Sequence, residues 1–283
     1  MNEPPAHRRT SGLTEAFFQT AGEAKRLIVF QHIQKTAGTS LRQVIRANLP
    51  PAEQRAVRLT KERSSRTKLL GWYAEFLDGL SAQDRLRLCC VMSHTAAYLA
   101  PALDEPALFM TMVREPVDRV LSQYHFSTRD PAKAPPGGLS GLYSKWSGRV
   151  PREENVAKLA SRLFNWQSRM LLGPYHDTSS LPYTSEPSDD AEEWRERVSG
   201  MVERYELMGV QDRFAEFTEL LERRLGWRPI VAREKVNSGR PRLGQVNPAL
   251  RDQIAAHNWL DSYLYELCSA RFESTVNATG GGV

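Results

Sequence analysis

The fold is decided by residues 27–41, which read Leu-Ile-Val-Phe-Gln-His-Ile-Gln-Lys-Thr-Ala-Gly-Thr-Ser-Leu. The apolar run Leu27 to Phe30 has the length of a buried strand. A turn of small and hydroxylated residues follows at 35–40, and apolar residues then recur at helical spacing as far as Leu49. A strand, a small-residue turn and a helix start predict an anion site, because backbone N–H groups and the positive helix end face the turn.

The turn differs from a Walker A loop. That motif is Gly-x4-Gly-Lys-[Ser/Thr], with the lysine after the second glycine, whereas Lys35 comes three residues before Gly38. Lys35 adds a mobile positive charge, and Thr39 or Ser40 is predicted to cap the helix. The plain alternative is a capped helix after a core strand, with Lys35 as a solvated charge.

Length and composition favour one large α/β domain. The chain has 283 residues, 41% of them hydrophobic, and a net charge of +5. This charge suits an anionic ligand but is too small for a nucleic-acid-coating protein. The three cysteines, Cys89, Cys90 and Cys268, are predicted to be buried thiols rather than a disulfide framework or a metal site.

The sequence predicts no integral membrane segment. Residues 1–24 lack an apolar stretch of signal-peptide or anchor length, and no other segment approaches eighteen apolar residues. We therefore expect a cytoplasmic protein from a reducing compartment. The oligomeric state is not readable from the sequence.

Strand and helix patterns alternate along the chain. Strands are predicted at 26–33, 86–92, 107–113 and 205–210, and helices at 39–49, 52–80, 116–124, 153–172, 192–204, 212–225 and 248–272. Long loops are predicted at 127–150 and 173–190. This alternation predicts a central parallel sheet flanked by helices. The expected organisation is a flexible arm at 1–24, a single domain at 25–273 and a disordered tail at 274–283.

Three polar segments fall where predicted strands end, at 34–40, 93–94 and 114–122. The carboxyl ends of parallel strands line the ligand crevice of such sheets, so the segments are expected to converge. Arg114 ends a strand and Ser122 lies about two turns into the next helix. An arginine fork and a hydroxyl in these positions can hold a second phosphate, although a capping ion pair is the plainer interpretation of Arg114 alone.

Two of these segments together resemble a known family. His-Ile-Gln-Lys35-Thr-Ala-Gly-Thr-Ser and Arg114-Glu-Pro-Val-Asp-Arg-Val-Leu-Ser122-Gln-Tyr resemble the cofactor motifs of sulfotransferases that use 3′-phosphoadenosine 5′-phosphosulfate (PAPS). The resemblance is to the carbohydrate branch with the heparan sulfate 2-O-sulfotransferases and bacterial relatives. Looser matches extend it over about residues 26–272: Ser93-His94, Asn165-Trp-Gln-Ser-Arg-Met-Leu171, Gly209-Val-Gln-Asp-Arg-Phe214, Glu234-Lys-Val-Asn237 and Asp261-x-x-Leu-Tyr265.

The resemblance implies the P-loop-like α/β sulfotransferase fold and a set of cofactor contacts. Arg114 and Ser122 would bind the 3′-phosphate, and no metal would be needed. A basic loop would close over the nucleotide through Lys235, Asn237 and Arg240. The 5′-phosphosulfate would be bound by Lys35, Thr36, Ala37, Gly38, Thr39 and Ser40.

The implied reaction is an in-line displacement onto an acceptor hydroxyl, with adenosine 3′,5′-bisphosphate (PAP) as product. Positioning and charge neutralisation do most of the work in such transfers. Lys35 would stabilise charge on the bridging oxygen. His94 is the predicted general base, although Ser93 stands where relatives have glycine; the competing candidates are His32, His125 and His176.

The acceptor is expected to be a carbohydrate or glycoconjugate, with a small-molecule or lipid hydroxyl as the alternative. A P-loop small-molecule kinase and a non-catalytic nucleotide- or glycan-binding module are weaker alternatives. No nucleic-acid partner is expected. Tyr143, Trp146 and Tyr175 lie in predicted loops and are candidates to stack on a sugar, and Asn165, Gln167 and Arg169 either orient ligands or pack helices.

Overall fold

The chain was analysed as a computed structural model, which describes residues 26–49, 54–56, 66–103, 107–144, 154–179, 181, 190–230 and 241–280. The predicted N-terminal arm lies outside the described residues. So do the parts of the two predicted long loops at 145–150 and 182–189, and Lys235, Asn237 and Arg240 with the segment 231–240 that contains them.

Five parallel strands form the central sheet. They are β1 (Ile28–Gln31), β2 (Gln54–Ala56), β3 (Cys90–Ser93), β4 (Leu108–Val113) and β5 (Leu207–Val210). The order across the sheet is β2-β3-β1-β4-β5, and every adjacent pair is parallel. The predicted parallel sheet is confirmed, and the order places β1 at its centre.

The helices pack around this sheet. They are α1 (Gly38–Asn48), α2 (Arg66–Asp78), α3 (Ala82–Arg87), α4 (Pro116–Ser127), α5 (Gly138–Ser144), α6 (Glu154–Ala160), α7 (Trp166–Leu172), α8 (Ala191–Arg204), α9 (Phe214–Leu225), α10 (Pro248–His257) and α11 (Trp259–Gly280). A 3-10 helix at Ala96–Ala102 follows β3.

The first half of the chain departs from the sequence prediction at several elements. The predicted long loop 127–150 contains a 3-10 turn at Pro131–Lys133 and the helix α5. The segment 52–80, predicted as helix, contains the short strand β2 before α2 begins. The strand predicted from residue 86 begins only at Cys90, because Ser81 caps a short helix by accepting a hydrogen bond from the Asp84 N–H. A three-residue strand is too short to show a period in sequence.

The second half departs where two predicted long helices are broken. The predicted helix 153–172 is interrupted over residues 161–165, and the break ends at Asn165, whose φ of 46° lies in the left-handed region. The predicted helix 248–272 ends at His257 and restarts at Trp259. The final helix runs on to Gly280, so residues 274–280, expected to be disordered, are helical instead.

Apolar side chains cover both faces of the sheet. Ile28 and Phe30 of β1 belong to a large core cluster with residues of α1, α8 and α11, whereas Leu27 and Val29 pack on the opposite face with residues of α2. This alternation is the two-residue period of a strand. Burial on both faces is typical of parallel sheets with helical crossovers.

The position of β1 creates the crevice. Its neighbours are β3 on one side and β4 on the other. After β1 the chain forms β2 and β3 on one side and then crosses to β4 and β5 on the other side. Ligands of open α/β sheets bind at such a switch point, outside the carboxyl ends of the strands. The segments that follow β1, β3 and β4 therefore share one edge, as predicted.

Candidate functional site

The turn after β1 contains two non-glycine residues in the left-handed region. Lys35 and Ala37 have φ values of 71° and 60°, which non-glycine residues rarely adopt. Ala37 is the N-cap of α1 and makes no side-chain cap, and the first helical turn contains no acidic residue. The positive end of α1 thus receives no capping oxygen from its own N-cap side chain, which favours an external anion.

The hydroxyl-bearing residues of the turn differ in their burial. Thr36 is buried and its hydroxyl donates to the Ile33 carbonyl at 3.0 Å, so it braces the turn. Ser40 is buried, and Thr39 is exposed. The predicted cap by Thr39 or Ser40 was wrong, because the helix begins at Gly38 and both residues lie inside its first turn.

The His32 ring packs against Gly38 and leaves no room for a side chain there. A Cβ atom at this position would lie 1.9 Å from Cδ2 and 2.3 Å from Nε2 of His32. Both distances are far below contact distance, so any side chain would displace the His32 ring. This packing holds His32 between the turn and β3.

His94 lies against His32 at the end of β3. The two rings are 4.4 Å apart between centroids, and Nδ1 of His94 lies 2.5 Å from the His32 carbonyl oxygen. A carbonyl only accepts, so Nδ1 carries the proton and Nε2 is the basic nitrogen of the neutral ring. A neutral histidine with its remaining nitrogen basic can accept a proton from a hydroxyl.

Both histidines titrate below their usual range. The pKa of His94 is lowered from 6.5, first because the protein displaces water from around the ring; the His32 carbonyl opposes this, and Arg42 and Arg162 lower it further. Burial, followed by repulsion from His94, Arg42 and Lys35, lowers the pKa of His32 to about 3. Each ring is therefore neutral near pH 7.

Gln31 holds the backbone beside His94, a role that the sequence analysis missed. Its side chain is buried, and Nε2 donates to the carbonyls of His94 at 2.8 Å and Met170 at 3.2 Å. Its Oε1 accepts from the Ala97 N–H at 2.9 Å. The available signal was an uncharged polar residue ending an apolar strand, since such a buried side chain must find partners.

Arg114 joins the segment after β4 to the turn after β1. Its Nη1 donates to the Lys35 carbonyl oxygen at 3.1 Å, and its Nε donates to the Asp118 carboxylate at 2.6 Å. Nη2 pairs with the same carboxylate, and the arginine side chain is only 14% exposed. The ion pair foreseen as the plain alternative is present, and the guanidinium also contacts the turn.

The peptide of Arg114 is held by Gln167. The Arg114 N–H donates to Oε1 of Gln167 at 2.9 Å, and Nε2 of Gln167 donates back to the Arg114 carbonyl at 2.9 Å. Gln167 lies in the first turn of α7, where Asp261 of α11 accepts from the backbone N–H groups of Gln167 and Ser168. Gln167 therefore links α7 to the peptide of Arg114, as its predicted role in helix packing implies, and its predicted role in orienting a ligand stays a prediction.

One face of α4 runs past the turn. Asp118, Ser122 and Phe126 follow each other at four-residue spacing, so they share this face. Ser122 is buried at 4% exposure, whereas Phe126 is 47% exposed. Nζ of Lys35 lies 4.3 Å from the Phe126 ring centroid, which places the lysine beside this face.

Several other predicted candidates lie away from this arrangement. His125 contacts the ring of Tyr124 edge-on, and His176 lies beyond the end of α7, where burial followed by Arg197, Arg66 and Arg204 lowers its pKa. Tyr143 is buried and donates to the Leu163 carbonyl, so its proposed stacking on a sugar was wrong. Trp146 lies outside the described residues, and Tyr175 packs under the Arg204 guanidinium.

The cysteines match their predicted state: all three are buried free thiols. Within the described ranges, no group of three histidine, cysteine, aspartate or glutamate side chains is arranged to hold a metal ion. Among the described residues, no helix combines the length and the apolar character that crossing a membrane requires.

The comparison with protein families gives one result. The sequence model of galactose-3-O-sulfotransferase matches residues 4–282, nearly the whole chain. No curated protein matches the chain.

Proposed function

Because the chain belongs to the galactose-3-O-sulfotransferase family, we propose that this sulfotransferase uses PAPS to sulfate a hydroxyl of a galactose-containing carbohydrate, with His94 as general base. The family supports sulfuryl transfer to a carbohydrate hydroxyl. The galactose ring is inferred from the family description, and the donor and the roles of individual residues are inferred from the sequence motifs and the geometry of the site.

The observation that carries the proposal is the hydrogen bond from Arg114 Nη1 to the Lys35 carbonyl, 3.1 Å long. It brings together the two segments that resemble the 5′- and 3′-phosphate motifs, which are 79 residues apart in sequence. A nucleotide with phosphate groups at the 5′ and 3′ positions of its ribose needs two separate anion sites, and the contact between the two segments supports such a pair.

The residues present fit such a donor. The α1 N-terminus has no side-chain cap and no acidic first-turn residue, so the turn at 35–40 is suited to a 5′-phosphosulfate. Arg114 and the buried Ser122 would hold the 3′-phosphate. When bound, the donor supplies an activated sulfuryl group together with its own leaving group.

Lys35 and His94 would divide the catalytic work. Lys35 carries a positive charge on a flexible stem, which suits it to neutralise negative charge that grows on the bridging oxygen. His94 presents Nε2 as a base, because its Nδ1 proton is committed to the His32 carbonyl. Gln31 and Gln167 fix the backbone of His94 and Arg114 and so act as positioning residues.

The finer sequence predictions remain proposals. They include closure of the nucleotide site by Lys235, Asn237 and Arg240, the heparan sulfate 2-O and bacterial resemblance, and a cytoplasmic location. A small-molecule or lipid acceptor stays the alternative. A P-loop kinase is disfavoured, because Lys35 precedes Gly38 rather than following a second glycine.

Nucleotide selectivity tests the donor. We expect PAP to raise the melting temperature of the protein well above the shift given by AMP or ATP at equal concentration, because only PAP carries the 3′-phosphate. Arg114→Ala should remove most of this preference. Equal shifts from all three nucleotides would refute the assignment.

Transfer of labelled sulfate from PAPS tests the acceptor. A panel of β-galactosides, other sugars, phenols and hydroxylated lipids should show product chiefly with the galactosides. Product only on phenols or lipids would favour the alternative acceptor, and PAP binding without any transfer would favour a non-catalytic binding module.

A further inference from the structure

Phe126 is an exposed aromatic residue at the mouth of the site. Among the described residues it is one of two large hydrophobic side chains that are exposed, at 47%; the other is Trp72 at 37%. Phe126 lies one turn beyond Ser122 on the face of α4 that passes the phosphate-binding turn.

Two cations contact this ring. Nζ of Lys35 lies 4.3 Å from the ring centroid, and the Arg129 guanidinium carbon lies 4.8 Å from it. The lysine proposed to meet the transferred group thus rests on Phe126.

The Lys35 contact is the one that donor binding would disturb. A cation over an exposed aromatic face is weakly held, whereas charge-assisted hydrogen bonds to phosphate oxygens are among the stronger polar contacts in proteins. A bound donor therefore draws Nζ toward its anionic groups. The part of the Phe126 face that Nζ covered is then uncovered, next to the lysine proposed to contact the sulfuryl group.

We propose that Phe126 is the stacking platform for the sugar ring of the acceptor, and that donor binding uncovers it by withdrawing Lys35. This inference rests on the proposed function and names the acceptor subsite of the same site. A pyranose presents a face of C–H groups with partial positive charge, which suits the negative face of an aromatic ring as the lysine does. The exposed Arg129 at the rim can donate hydrogen bonds to hydroxyls of the same sugar.

The arrangement couples the two ligands. A sugar that needs the part of the ring face covered by Lys35 competes with the lysine when no nucleotide is bound, and a nucleotide that holds Nζ removes this competition. By linkage, the nucleotide tightens sugar binding and the sugar tightens nucleotide binding by the same factor. Each ligand should therefore bind more tightly in the presence of the other.

The test measures binding of a β-galactoside disaccharide to wild type, Phe126→Ala, Phe126→Trp and the control Trp72→Ala. Affinity for the disaccharide is measured by titration calorimetry with and without saturating PAP, and affinity for PAP is measured in parallel. Melting temperatures verify that each variant is folded. Sulfate transfer is recorded separately, so that the two proposals fail independently.

We expect Phe126→Ala to weaken disaccharide binding to the PAP complex about tenfold, as loss of one aromatic stacking contact implies, while Phe126→Trp and Trp72→Ala retain it. Affinity of Phe126→Ala for PAP should be unchanged or higher, because Lys35 loses its competing contact. PAP should enhance disaccharide binding in wild type and not in Phe126→Ala.

An equal loss of PAP affinity in Phe126→Ala would overturn the proposal in favour of a nucleotide-stacking role. An unchanged affinity of Phe126→Ala for the disaccharide would overturn it as well. So would the absence of disaccharide binding to the wild-type complex with PAP. Ring-dependent disaccharide binding without sulfate transfer would support the subsite and refute the proposed reaction.

Discussion

At the residue scale, one backbone carbonyl oxygen fixes the tautomer of His94. The His32 carbonyl fixes the Nδ1 proton, and the ring of the same His32 packs against Gly38. The sequence identified His94 by its position after a strand. It could not identify the tautomer, which depends on a partner 62 residues away.

The pH dependence of turnover should report His94. A base acts in its neutral form, and lowering the pKa below 6.5 keeps the ring neutral to lower pH. The acidic limb of kcat/KM should therefore have its midpoint below pH 6.5, and His94→Ala should lower kcat about 10²–10⁴-fold. Steady-state kinetics between pH 4 and 8, with His176→Ala as the control variant, measure both effects. An acidic midpoint above 6.5 in wild type would contradict the assignment.

Lys35 is expected to act on the transition state more than on the ground state. Lys35→Ala should lower kcat at least a hundredfold while PAP affinity falls less than about tenfold, because the negative charge it meets grows as the bridging bond breaks. Turnover and PAP titration compare the two quantities. Lys133→Ala removes an exposed lysine of the 3-10 turn after α4 and should change neither. Unchanged kcat with weakened PAP binding would assign Lys35 to binding alone.

Gly38 offers a matched pair of substitutions. Gly38→Ala places a methyl group 1.9 Å from the His32 ring and should destabilise the protein by about 1–3 kcal/mol, as overpacking does. Gly71→Ala in α2 meets no atom within 4 Å and should stabilise the helix by about 0.5–1 kcal/mol. Urea unfolding measures both free energies. If Gly38→Ala raised the free energy of unfolding as Gly71→Ala is expected to, His32 would have moved aside without cost.

At the scale of elements, two helix breaks build one side of the site. Asn165 in front of α7 accepts hydrogen bonds from the N–H groups of Leu260 and Asp261 in the first turn of α11, and Asn258 accepts from the Asn165 N–H. Asp261 in turn caps α7. Each helix start thus supplies the cap of the other. Hydrophobic periodicity runs through both breaks, so the sequence predicted two unbroken helices.

The two hydrogen bonds between the Gln167 side chain and the Arg114 peptide, here called the Gln167 clamp, link these helix starts to Arg114. Gln167→Leu keeps the side-chain size but leaves the Arg114 N–H and carbonyl without their partner, at a cost of about 1–3 kcal/mol. We expect lower thermal stability and roughly tenfold weaker PAP binding, because Arg114 loses its fixed position. Gln253→Leu makes the same change at an exposed position of α10 and serves as the control. Full PAP affinity in Gln167→Leu would limit the clamp to a structural role.

At the scale of the whole molecule, the sheet order decides which loops meet. With β1 between β3 and β4, the turn after β1 touches both His94 and Arg114. Alternating strands and helices predicted this convergence, since parallel strands present their carboxyl ends at one edge. The short strand β2 was missed, because three residues carry no measurable period, and it lies at the sheet margin beyond β3.

The sequence by itself determined the parallel α/β architecture and the small-residue turn after β1, and its motifs predicted a carbohydrate sulfotransferase, because strand and helix periods, small residues and motif spacing are local properties of the chain. Only the tertiary structure decided the His94 tautomer, the Gln31 and Gln167 contacts, the burial of Tyr143 and the exposure of Phe126. These depend on which distant residues share a hydrogen bond or a surface. The turn at 35–40 is encoded locally, and its surroundings are set by the packing of the sheet.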